Sequence, residues 1–406
     1  MLVSSRLARG MLVGAVLLAV GVASASAEGW RVKVQGSEAD LGETPVVVEL
    51  KAEVPVGDYV LQANGYDKSL PARVFRDDGK RYLGVVLDHV SGSAPERYIL
   101  RQEPKSELSP PGVVLRPRGS NVEVAVGGKP LTEYRTDDGP KPFYFPVIGP
   151  TGVAVTRAFP MKQVEGEDQD HPHQRSLWFT HGKVNGIDFW SEVKGHGSIK
   201  ETARKTVAGG SAVGLIRTTD DWVGPDGRKV CEDERIVRFY DTAKGRVLDF
   251  DITLKATDGP VTFGDTKEGM FGVRVASSMD VSKKKGGKIT NAEGLTDDKA
   301  WGQPSPWVDY TGPVEGETLG IAILNHPESF RHPSTWHVRT YGLFAANPFG
   351  WHDFGQKRSG DHTLASGESI RFRYRLILHS GDTASAHLPE AYQAYAAPPT
   401  IDVVAE

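Results

Sequence analysis

The chain has 406 residues, 39% hydrophobic and 25% charged, which excludes a disordered or fibrous protein and supplies enough apolar residues for a sizeable core. Its formal net charge is −4 and its runs of one sign are short, as in KKKGGK and EDE, so no nucleic-acid partner is expected.

Residues 1–27 read as a secretory signal: Arg6 and Arg9, an apolar run from Met11 to about Val22, then the small residues Ala25, Ser26 and Ala27. The run is shorter than the roughly 20 residues a spanning helix needs. Cleavage before Glu28, export to the periplasm or medium, and no membrane span thereafter are expected. Cys231 is the single cysteine, so no internal disulfide can form and the core must hold the fold.

Residues 28–105 contain the strand-like runs RVKVQ, PVVVELKA, DYVLQA, ARVFR, YLGVVLD and RYILRQ, which predict a small β-sandwich. Within the polar, proline-bearing stretch RQEPKSELSPPG, residues 106–111 are read as a linker. The following segment, 112–395, suits a large two-sheet β-sandwich. Val122, Val124 and Val126 alternate up to Gly127 and Gly128. In VLDFDITLK, Leu248, Phe250, Ile252 and Leu254 alternate with polar residues, and SIRFRYRLIL repeats the pattern around Arg371, Arg373 and Arg375. The expected class is all-β, with no long helix, and residues 396–406 are expected to fray.

Chemistry-bearing side chains concentrate in the larger segment. Of 12 histidines, His171, His173, His181 and His196 fall in one short window and His326, His332, His337 and His352 in another. Tryptophan follows, with Trp178 and Trp190 in the first window and Trp336 and Trp351 in the second. No G-x-S-x-G elbow, H-E-x-x-H or P-loop is present, which takes weight from serine hydrolases, zincins and nucleotide enzymes.

Several stretches together resemble a known family: DHPHQRSLWFTHGKVNGIDFW, FGDTKEGMFGVRVA, WVDYTGP, LNHPESFRHPSTWHVRTYGLFAANPFGW and FYFPVIGP. They are similar to the secreted bacterial family of unknown function that carries the label "methane oxygenase PmoA". The resemblance spans about residues 140–380 and implies a galactose-mutarotase-like supersandwich, a fold hosting mostly carbohydrate-active proteins. The label does not fit, because a methane-oxidising membrane subunit needs several long apolar spans. Family members often carry a further histidine where this chain has Gln174, which puts a role for that position in doubt.

On a strand, His171 and His173 would share one face and could present two imidazoles to one ligand or hold one metal ion. His181, His326 and His337 are candidates to join them, and Glu268 supplies a carboxylate for acid–base work. Asp170 and Arg175 are candidate substrate-binding groups, and Trp190, Trp336 and Trp351 candidate stacking platforms for a pyranose. The expected function is an exported enzyme acting on a sugar or polysaccharide fragment by hydrolysis, elimination or epimerisation. The alternatives are a metal-dependent enzyme using His171 and His173, and a noncatalytic glycan-binding protein. The cofactor is unknown.

Overall fold

The computed structural model describes residues 29–36, 42–63, 69–88, 96–103 and 112–405. The expected signal segment and the 106–111 linker lie outside them. All six N-terminal runs form strands, from Trp30–Gln35 to Glu96–Gln102, in one antiparallel seven-stranded sheet. Alternate residues such as Val32, Val34, Tyr59, Leu61, Val74 and Leu100 form its own buried cluster.

The seventh strand comes from the far end of the chain. Thr400–Ala405 does not fray: it pairs antiparallel with Trp30–Gln35, Ile401 opposite Val34 and Val403 opposite Val32. Both side chains pack against the N-terminal cluster, so apolar burial and a full ladder of backbone bonds hold the tail.

The larger part is a sandwich of two eight-stranded antiparallel sheets. One runs, in spatial order, Trp336–Val338, Leu343–Ala346, Gly269–Arg274, Leu177–His181, Phe143–Tyr144, Lys129–Arg135, Asn121–Val126 and Val113–Arg118. The other includes Val213–Val223, Lys229–Tyr240, Arg246–Lys255, Ser369–Ser380 and Glu317–Asn325. Leu248, Phe250, Ile252 and Leu254 face the first sheet, as their alternation predicts, and meet Phe179, Phe271 and Phe344 in one large core.

The polar side of that strand is not wet. Asp249 takes two hydrogen bonds from Arg375, at 2.7 and 2.8 Å, and Asp251 pairs with Arg371. The second sheet's outer face is covered twice. Val213, Leu215 and Val247 pack on Phe75 and Val86 of the N-terminal sheet, and the helix Leu388–Ala396 lays Leu388 and Tyr395 on Trp307 and Leu324. Asp170, His171, His173, Glu268 and His337, among the residues singled out from sequence, gather on the outer face of the first sheet.

Candidate active site

Strand register sets the floor of the site. Phe143, Trp178, Gly272, Ala345 and His337 are successive cross-strand partners on five neighbouring strands. Their neighbours along each strand, among them Leu177, Phe179, Phe271, Val273, Phe344, Trp336 and Val338, point into the core, so this row faces outward. Trp178 is closed over by Trp190, ring centroids 5.3 Å apart, and both indoles are buried.

Loops deliver the polar groups onto this floor. His171 and His173 lie in a turn closed by Gln174 N–H donating to the His171 carbonyl, 3.0 Å, and not on a strand. Pro172 and the left-handed backbone of His171, φ 45°, account for the departure. The two rings still meet, edge to face, with centroids 5.6 Å apart. His171 also stacks on Tyr341 at 5.2 Å and 8° between planes.

Asp170 is the hub. Its Oδ2 lies 2.7 Å from His171 Nδ1, while its Oδ1 accepts from Arg157 and, at 2.9 Å, from Arg274. Partial burial opposes its charge, but Arg274, the His171 hydrogen bond and Arg157 outweigh that and hold the carboxyl below its ordinary value. Arg274 also donates to the buried Gln174 at 2.6 Å and lies over the Tyr341 ring. Gln174 thus has a structural partner of its own. Because a carboxylate can only accept, His171 Nδ1 carries the proton toward Asp170, and in the neutral ring the acceptor lone pair is on Nε2.

Glu268 and His337 complete the cluster from the other side. Glu268 Oε2 is 3.9 Å from His337 Nδ1, and Lys267 Nζ is 3.3 Å from Glu268 Oε1. Burial raises the Glu268 carboxyl above its ordinary value, with Lys267 opposing and His171 close enough to act on it electrostatically. Burial pushes the His337 imidazole down to about 3, helped by Arg339 and Lys267, and lowers His173 to about 4, helped by Lys141. Both histidines are neutral at ordinary pH.

The other expected members lie elsewhere or are engaged. His181 is on the core side of its strand, donating from Nε2 to the Gly264 carbonyl at 2.8 Å and packed on Phe349. His326 sits beyond the second sheet, edge-on to Tyr395, with Nδ1 accepting from the Glu328 N–H and lying 3.2 Å from Arg373. The strand before it belongs to the second sheet, which carries it away from His337. Trp336 is buried in the core with Nε1 donating to Ser305, and Trp190 is equally buried, so neither can serve as a platform. Trp351 is sandwiched by Arg331 and Arg358, whose guanidinium carbons lie 4.1 and 3.9 Å from its ring. Arg175 is committed to Glu192, at 3.0 and 3.1 Å, and to Asp138 at 3.3 Å.

Arg157, Arg274, Tyr341 and the buried pair Lys141 and Glu192 were not singled out from sequence. For Arg274 a signal existed: in GMFGVR it alternates with the core residues Phe271 and Val273 and so must share the Gly272 face. Among the described residues no group of three or more His, Cys, Asp or Glu side chains is arranged to hold a metal ion. A cavity of about 730 Å³ lies apart, between the Thr242–Gly245 turn and the C-terminal helix, and none of the expected residues lines it.

The protein is a two-sheet β-sandwich with a cluster of histidine, carboxylate and arginine side chains on one outer face. The chain belongs to a family of unknown function, DUF6807, whose model matches residues 121–393. That span holds every residue of the cluster. A search of curated proteins finds no match. Among solved structures, a galactose mutarotase-like protein from Lactobacillus casei ATCC 334 is similar at TM-score 0.32 and 10% identity, over 66% of this chain and 100% of that one. At that distance the likeness says nothing about activity.

Proposed function

We propose that the protein is an exported carbohydrate-active enzyme working by proton transfer between a histidine base and a carboxylic acid. The observation that carries this reading is the pairing of opposites on one face. Asp170 keeps His171 oriented with Nε2 free, while burial raises Glu268 toward the protonated form. Two groups whose surroundings separate their proton affinities are what acid–base catalysis requires. His171 Nε2 takes a proton from a sugar hydroxyl or carbon, or from water, and Glu268 returns one to the oxygen or carbon that needs it. His337 and His173, held neutral, supply hydrogen bonds without adding charge. Hydrolysis, elimination and epimerisation each use this pair. Export rests on the signal-like N-terminus.

The test is a screen of the mature protein against an oligosaccharide panel, with product analysis, in the presence and absence of EDTA. Turnover that survives EDTA and vanishes in His171→Gln supports the acid–base reading. Turnover abolished by EDTA and restored by a divalent ion moves the assignment to a metal enzyme, and binding without turnover moves it to a glycan-binding protein.

A further inference from the structure

Arg339 is unlike the other arginines around the cluster. Arg157 and Arg274 both pair with Asp170, and Arg175 pairs with Glu192 and Asp138. Arg339 has no carboxylate partner and no side-chain hydrogen bond among the described residues. Its guanidinium lies between two rings, 5.6 Å from the Tyr341 centroid and 5.8 Å from that of Trp301. Arg339, Trp301 and Tyr341 are all partly exposed, and Phe354 extends the aromatic surface edge-on to Trp301 at 5.2 Å. This surface adjoins the catalytic cluster: Tyr341 carries the His171 ring, Phe354 is 6.3 Å from the His337 ring, and Arg339 is the strongest charge acting on His337.

An uncompensated cation fixed between ring faces, beside a proton-transfer pair, is a recognition element in want of an anion. Contacts with ring faces are weak at exposed sites and leave the planar fork of N–H donors unused. The aromatic faces suit the C–H surface of a pyranose, and the fork suits a carboxylate on that ring.

We propose that Arg339 selects the substrate, and that the sugar handled at this site is a uronic acid whose carboxylate pairs with the Arg339 guanidinium while its ring lies against Trp301 or Tyr341. This rests on the acid–base reading of the cluster and narrows its substrate class. Glu268 does not bar an acidic ligand, because burial favours its neutral form and Lys267 stands beside it. Arg339 acts by binding, and no proton transfer is assigned to it.

The experiment is calorimetric titration of the full mature protein with matched oligomers. Galacturonic and glucuronic acid oligomers are compared with galactose and glucose oligomers of equal length and linkage, and with 6-sulfated forms. The uronic oligomers are expected to bind about 10- to 100-fold more tightly than the neutral ones, the range of one charged, bidentate contact. Raising the salt should shrink the difference. Arg339→Gln should abolish the preference, so that uronic and neutral oligomers bind alike, with Arg339→Lys retaining part of it. Equal binding of acidic and neutral oligomers by the unaltered protein overturns the inference and leaves the acid–base reading standing. Tighter binding of the sulfated forms overturns the carboxylate assignment. Binding of no sugar at all removes both. The comparison on the unaltered protein decides the matter even where Arg339→Gln fails to fold.

Discussion

The indole of Trp178 lies directly on Gly272: a β-carbon added to that glycine would meet Cε2 and Cζ2 at 2.8 Å each. Trp178 cannot retreat, because Trp190 covers it and both rings are buried. Gly272→Ala is therefore expected to destabilise the protein by about 1–3 kcal/mol, the usual cost of forcing extra atoms into a packed site. Denaturant unfolding measures this. In a Trp178→Leu background the cost of Gly272→Ala should fall, and a fully additive double mutant would refute the contact.

His171→Gln is expected to lower turnover on the authentic substrate by roughly 10²- to 10⁴-fold with little change in melting temperature, because the imidazole is part-exposed and general-base loss is of that size. Asp170→Asn should lower both. It frees the His171 tautomer, and it leaves the buried guanidinium groups of Arg157 and Arg274 without their counter-charge. His326→Gln should leave turnover alone, since that ring lies beyond the second sheet. Equal losses of turnover in His171→Gln and His326→Gln would sink the site as drawn.

Strand existence was legible because period-two alternation reports a buried face directly, as in Leu248 to Leu254 and in the six N-terminal runs. What alternation does not report is what covers the other face. Alternation alone would leave Asp249, Asp251 and Arg375 in solvent, yet Asp249 and Arg375 form a covered ion pair and Asp251 is buried against Arg371. Tail pairing was hidden because TIDVVA is short and its partner lies more than 300 residues earlier. Composition located the cluster through His171, His173, Glu268 and His337, but it also drew in His181 and His326, whose side chains leave on other faces. Arg157 and Tyr341 carry no local pattern. Only the folded loops bring them to Asp170 and His171.

Removing residues 400–406 should loosen the N-terminal sheet specifically. Trp30–Gln35 would lose one of its two neighbours and become an edge, and Ile401 and Val403 would no longer cover Val32 and Val34. Faster proteolysis within residues 29–103, with the sandwich resistant, is the expected pattern. Unchanged protection of the N-terminal sheet against amide exchange would contradict it.

Inside the sandwich, Asp220 and Asp233 share Arg235. The guanidinium gives two hydrogen bonds to Asp233, at 2.8 and 2.7 Å, and lies 3.4 Å from Asp220, whose Oδ1 has no partner. Burial raises the Asp220 carboxyl strongly, Arg235 opposing and Asp233 adding to it. A carboxyl raised by folding contributes stability that is fully present below its ordinary range and is lost as pH rises through its folded value. Asp220→Asn stays neutral throughout. Its stability relative to wild type should therefore climb as pH rises from about 4, and a constant difference across that range would show that Asp220 ionises normally.

Glu268 couples stability to activity in a way that separates a catalytic acid from a structural one. Its carboxyl is raised by burial, so the charged form is the costly one, and stability again falls as pH rises through the folded value. Glu268→Gln removes that cost and should make the protein as stable as wild type or more so near neutral pH, despite losing the Lys267 contact, which is partly open to solvent. Turnover should move the opposite way. An acid must be protonated to act, so the wild-type rate should decline as pH rises through the same value, and Glu268→Gln should reduce the rate by roughly 10²-fold or more and erase that alkaline decline. Stability gained where activity is lost is the signature of a residue kept for chemistry at the expense of the fold. A rate profile that keeps its alkaline limb in Glu268→Gln would assign the acid to another group.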